Sequence, residues 1–256
     1  MAFRSSPKKI LFCGVAAFAL ATITVTPVRA GPITFGQVTQ TNGSLQQWTI
    51  SNSGSTVTVS ATGSVNFTFS GVSGLPFSGP ESALFTLTAT STQLGNCGVA
   101  CGPGDSYVEP GYSGTFSFID AGSAPGTNLL SGTFAVTGSP ATTGAQFSSS
   151  IGSSGGSFNA SATAGNLSQL VFTSSYLNFL GQTEENASWS LSSLIPNFAT
   201  GTVTAGKAFP TGVFNAAGSG TFSSNPGPTS LPEPATLSLV GAALLALGLT
   251  RRHLVR

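Results

Sequence analysis

Between residues 31 and 231, few side chains carry acid-base, metal-binding or redox chemistry. They are Glu81, Asp105, Glu109, Asp120, Glu184 and Glu185, a single base, Lys207, and the pair Cys97 and Cys101. The only histidine, His253, stands near the C-terminus, so no Ser-His-Asp triad, His-based metal site or Cys-His pair can be assembled in this stretch. Glycoside hydrolysis needs only two carboxylates, and six are present. Glu184 and Glu185 are adjacent, however, and point to opposite faces of an extended chain, which favours a loop or a solvated edge over an acid/base pair. Lys207, in VTAGKAFPTG, lacks a Ser-x-x-Lys spacing and reads as an exposed lysine. No catalytic residue and no cofactor are expected.

The most distinctive local stretch is NCGVACGPGDSYVEPG, residues 96–111. Cys97 and Cys101 sit four apart among glycines. In an oxidising compartment they are expected to form a disulfide, because a Cys-x-x-x-Cys metal site would lack two further soft ligands. Asp105, Glu109 and Asp120 follow. Their oxygens are weak candidates for Ca²⁺, but the spacing fits no EF-hand, and a solvated acidic loop is the competing reading.

The elements that position these groups are strands. Only 6% of the residues are charged, against about 25% in ordinary soluble domains. One base against six acids leaves no basic patch for nucleic acid or anionic lipid. Sixteen Phe lie between Phe35 and Phe222, with Trp48, Trp189, Tyr107, Tyr112 and Tyr176, enough bulky apolar material for a packed core. Val57, Val59 and Ala61 alternate with Thr56, Thr58 and Ser60, and Val65, Phe67 and Phe69 continue the period of two. Ala61-Thr62-Gly63-Ser64 between those runs is a plausible hairpin connection. Phe85, Leu87 and Ala89, then Phe116 and Phe118, then Phe134 and Val136, repeat the alternation. No segment shows a capped 3.6-residue period. The tripeptide Gly-Thr-Phe recurs at 114–116, 132–134 and 220–222; its uneven spacing reads as a turn glycine entering a strand rather than as a repeat array. The expectation is an all-β antiparallel β-sandwich over residues 31–222, as one sandwich or two small ones. A Ser/Gly/Pro linker follows over 223–231.

The termini carry addresses. Lys8 and Lys9 precede the apolar run Ile10 to Ile23, and Val28-Arg29-Ala30 supplies a small-residue cleavage site. Residues 1–30 therefore read as a signal-peptide helix cut after Ala30. At the other end, Pro232-Glu233-Pro234 is followed by the uncharged stretch Ala235–Thr250 and then by Arg251 and Arg252. As a helix, 235–250 would rise about 24 Å, slightly short of the ~30 Å hydrocarbon core, and the arginines would hold the cytoplasmic side.

This tripartite ending, residues 232–256 behind a signal peptide, resembles the PEP-CTERM sorting signal of Gram-negative bacteria that make extracellular polysaccharide. The resemblance covers only the tail. It implies an exosortase partner that recognises Pro232, Glu233 and Pro234 and removes the segment. It also implies transient anchoring in the inner membrane and a final location at the cell surface or in the biofilm matrix. The two prolines suit such a role physically, since they hold the recognition strand extended. Together these readings lead to an expected secreted, surface-sorted, non-catalytic structural or adhesive protein that contacts extracellular polysaccharide. The alternatives are a polysaccharide-active enzyme with paired carboxylates and a calcium-dependent glycan-binding module.

Overall fold

The computed structural model describes residues 31–42, 46–98, 100–136, 144–163, 166, 169–204 and 206–231. The signal peptide with Val28 and Ala30, and the sorting segment with Pro232, Glu233, Pro234, its helix 235–250, Arg251 and Arg252, lie outside the described residues. Among the described residues, sixteen strands follow one another. They begin with β1 (Ile33–Gln40), β2 (Trp48–Ser53), β3 (Thr56–Phe69), β4 (Glu81–Ser91), β5 (Gly95–Asn96), β6 (Ser106–Asp120), β7 (Asn128–Phe134) and β8 (Ala145–Ser150). They continue with β9 (Gly156–Ala162), β10 (Leu170–Thr173), β11 (Leu177–Asn178), β12 (Glu184–Ile195), β13 (Thr200–Thr204), β14 (Lys207–Pro210), β15 (Val213–Asn225) and β16 (Thr229–Ser230).

The protein is all-β and antiparallel, as the alternation implies, but it closes into an eight-stranded barrel and not a sandwich. The ring runs β3, β4, β6, β8, β9, β12, β15 and back to β3. Its eighth position is shared. β1 joins Phe222 of β15 to Phe69 of β3 at one end, and β2 joins Phe214 to Val59 at the other, both through their own residues. β7 lies along β6 beyond β8, and β10 pairs β7. A sandwich and a small barrel have the same inward/outward alternation. What separates them is the bridging of β15 to β3 by β1 and β2, which closes the ring.

The inward positions are those the alternation marks: Val57, Val59, Phe67, Phe85, Leu87, Phe116 and Phe118 are buried. They meet Trp189 and Phe222 in a continuous ring network. Phe85 stacks on Phe118 at 4.7 Å between centroids, Trp189 lies edge-on to Phe116 at 5.2 Å, and Trp48 lies edge-on to Trp189 at 5.9 Å. Such pairs contribute about 0.5–1.5 kcal/mol each beyond simple burial. Outward positions carry hydroxyls: Ser82, Thr86, Thr88 and Thr90 of β4 are exposed, and Thr86 Oγ1 lies 2.8 Å from Ser117 Oγ on β6. Apolar inside and polar outside is the inverse of a membrane-spanning barrel.

Three local expectations are corrected. Residues 61–64 are not a hairpin: β3 runs straight through them, paired with β4 from Val57 to Phe67 without a register shift. The glycines of the Gly-Thr-Phe repeats are not turn glycines but strand-interior ones. Gly132 lies opposite Phe116 and Gly220 opposite Trp189, each leaving the space the facing ring fills. Residues 223–231 are not a free linker. Ser223–Asn225 finish β15, β16 pairs β11, and the Leu231 N–H donates to the Tyr176 carbonyl at 2.8 Å.

Candidate functional site

The three calcium candidates are spread along β6 and are not brought together. Fifteen residues of strand at about 3.3 Å each separate Asp105, just before Ser106, from Asp120 at the far end. Each acid is engaged locally. Asp105 Oδ2 accepts the Gly102 N–H at 2.8 Å, closing the turn that follows the cysteines. Asp120 accepts the Gly122 N–H at 2.6 Å on Oδ1 and the Ala124 N–H at 2.8 Å on Oδ2, organising the loop to β7. Among the described residues, no group of three or more acidic, histidine or cysteine side chains is arranged to hold a metal ion.

Glu109 departs most from the sequence reading: it is not in a solvated loop but inside the barrel, with no exposed surface. In a regular strand Glu109 and Tyr112 would face opposite sides. A register shift between them, at Gly111 with φ of 79°, turns Tyr112 inward. Glu109 Oε2 then accepts the hydroxyls of Tyr107 at 3.0 Å and Tyr112 at 2.8 Å, while Oε1 is buried without a partner. Burial pushes the carboxyl up to about 7, against the opposite pull of the two hydroxyls. Burial and the neighbouring carboxylate hold both tyrosines well above their ordinary range. The Pro110-Gly111 pair was the available signal of an irregular strand here.

One pair of carboxylates does come together. Ser123 Oγ lies 2.7 Å from Glu81 Oε2 and 3.2 Å from Asp120 Oδ2, which brings the two acids toward the ~5–9.5 Å separation that glycosidases use. Asp120 is buried and already accepts two loop N–H groups and the Ser123 hydroxyl, which commits it to holding the loop.

Cys97 and Cys101 form a disulfide, with Cys97 buried. The Cys97 N–H donates to the Gly206 carbonyl at 3.0 Å, and β5 adds short pairings to β6 and β14. The bridged loop hangs beside the ring of strands and is no part of it. The chain lacking residues 1–30 is therefore expected to show no titratable thiol until reduced, and two afterwards. Thiol titration checks this. Reduction should loosen residues 95–105 and leave the barrel transition in place, since a ring this small constrains the unfolded chain less than the ~3 kcal/mol of a 15-residue loop.

Glu184 and Glu185 open β12 and do face opposite ways, but Glu185 is not on a solvated edge: it is 6% exposed. Counting back by twos from Leu191 through Trp189 and Ala187 reaches Glu185 on the core face, so the sequence contained the signal. Its carboxylate accepts the backbone N–H of Phe172, and burial outweighs that bond, pushing it up to about 7. Glu185 lines a cleft of about 490 Å³ at the end of the barrel where β10, β11 and Leu231 meet. Lys207 is exposed on β14, as its context implies. No protein-family model, curated protein or solved structure matches this chain.

Proposed function

We propose that the chain is an exported, surface-sorted barrel protein that serves a structural or adhesive role in an extracellular polysaccharide matrix, without catalysis. The observation that best supports the non-catalytic reading is the local commitment of the acids: Asp105 and Asp120 hold turns, and Glu109 is sealed with two tyrosines. The outward faces support adhesion to neutral glycans. Their hydroxyls and amides, such as Thr86 with Ser117 and Ser188 with Asn159, present donors and acceptors with little charge.

Delivery follows from the tail. The signal peptide exports the chain, 235–250 holds it in the inner membrane, and an exosortase cuts near Pro232-Glu233-Pro234. Arg251 and Arg252 keep the end cytoplasmic. Mass spectrometry of the protein recovered from the cell surface is expected to find a C-terminus near residues 231–235. Glu233→Ala should leave a full-length, membrane-held form. An intact Arg256 in the surface pool would reduce the segment to a plain anchor. A glycan array probed with the surface form tests adhesion, and release of reducing ends from a bound glycan would favour instead an enzyme built on Glu81 and Asp120.

A further inference from the structure

The cleft at the barrel end has the volume of a small-molecule site, about 490 Å³. Its walls are apolar: Val171, Phe172, Leu177, Phe179, Leu180 and Leu231. Of three further polar residues on its lining, Thr173 is exposed and the other two are already engaged. Ser174 Oγ donates to the Leu129 carbonyl at 2.6 Å, and Asn178 Oδ1 accepts the Leu180 N–H at 3.0 Å. Glu185 is left as the one ionisable group in the cleft. It is more than nine-tenths buried, and its recorded donor is a single backbone N–H.

Among the described residues no cation belongs to the surroundings. β9, β10, β11, β12, β15 and β16 carry no lysine or arginine. Lys207, the one base among the described residues, is on β14, which pairs β5 and β13. A buried carboxyl without a counter-ion is costly in its charged form. Leu180 stands at the mouth, 86% exposed, an apolar side chain that gains by being covered.

We infer that this cleft binds a small amphipathic monocation, with an ammonium head against Glu185 and an aryl or short alkyl body along Phe172, Phe179 and Leu180. The ammonium supplies the missing counter-ion and charge-assisted hydrogen bonds, and the body covers apolar wall. The negative charge of an ionised Glu185 disfavours a carboxylate ligand. The inference is independent of the sorting and adhesion readings, because it uses only residues 171–231.

The pH dependence has a definite sign. Burial sets the Glu185 carboxyl at about 7 in the empty cleft, so ammonium affinity rises as pH rises through that value. No other titratable side chain lies on β9, β10, β11, β15 or β16. Glu184 faces away from Glu185, and Tyr176 is packed edge-on against Phe77 at 4.7 Å.

The test is ¹⁹F NMR titration of the full chain in lipid nanodiscs, with empty nanodiscs as blank, using 4-fluorobenzylamine, 4-fluorobenzyl alcohol and 4-fluorobenzoate. At pH 8 the amine is expected to bind saturably, about tenfold tighter than the alcohol, with the benzoate weaker than both. The preference should shrink between pH 8 and pH 5.5. Glu185→Gln should abolish the preference while leaving alcohol binding. If that variant fails to fold, Leu180→Arg, at an exposed position, takes apolar wall from both ligands and places a fixed cation at the mouth, so it should weaken the amine several-fold more than the alcohol and erase the preference. Equal binding of amine and alcohol, a preference that survives Glu185→Gln or Leu180→Arg, or no saturable amine binding overturns the inference.

Discussion

Gly114→Ala should cost the barrel about 3 kcal/mol of unfolding free energy, at the upper end of what overpacking does. The reason is backbone against backbone. A Cβ at this position would overlap the Thr88 carbonyl on β4 and come within 2.7 Å of the Ala89 Cα. Neither atom can move without breaking the β4–β6 ladder, which runs unbroken from Ala83–Asp120 to Thr90–Ser113. Gly220→Ala should cost less, about 1–2 kcal/mol. There the obstacle is Trp189, whose Cδ1 would sit 2.7 Å away, and a side chain can shift where a backbone cannot. Gly132→Ala falls between them, because its Cβ would overlap the Phe116 ring more deeply than a Cβ at Gly220 would overlap Trp189. Gly79→Ala is the control. Nothing lies within 4 Å of its Cβ position, so it should be neutral or gain about 0.4–1 kcal/mol through the unfolded chain. Urea unfolding of the four variants checks the order; a Gly114 variant as stable as the Gly79 variant would show that these glycines are incidental.

The same glycines show where sequence reading succeeds and where it stops. Alternation is local, so Val57, Val59, Phe85, Leu87, Phe116 and Phe118 are legible as one face of extended chain. Closure is not local. It depends on β1 and β2 reaching β15, with Val38 opposite Gly220 and Trp48 opposite Ala216, and no short window contains both partners. Once the ring closes, aromatic side chains from all around it converge on one axis. Small residues opposite large ones become a packing requirement, and a Gly-Thr-Phe tripeptide in mid-strand makes sense. In sequence alone the same glycine is indistinguishable from a turn. The acids follow this logic. Asp105 and Asp120 do the turn-making that their glycine-rich context implies, whereas Glu109 needs the irregularity at Gly111 to face inward. Glu185 was legible by period, but the neighbouring Glu184 disguised it as a solvated pair. The cleft around it was not legible at all, since it joins residues 171–180 to Leu231 through the β11–β16 pairing.

The second large effect is on pH. The folded Glu109 carboxyl sits at about 7, against an ordinary 4.5. Below about 4.5 it is protonated in both folded and unfolded chains and imposes no penalty. As pH rises from there to about 7, the unfolded carboxyl ionises while the folded one stays neutral, so the unfolded chain gains. Stability is therefore fully present on the acid side, falls across this window, and levels off above it, by on the order of 3 kcal/mol at 1.36 kcal/mol per pKa unit. Glu185, also raised to about 7, bends the curve in the same direction. Glu109→Gln should flatten the slope. Its amide oxygen can still accept the Tyr107 and Tyr112 hydroxyls, but its amide N–H groups would occupy the Oε1 site, which has no partner. An unsatisfied buried donor costs about 1–3 kcal/mol, so the variant should be less stable than the parent at pH 4.5 and converge with it by pH 8. Urea unfolding at half-unit steps from pH 4.5 to 8.5 measures both curves, and parallel curves would mean that Glu109 does not hold its proton inside the barrel.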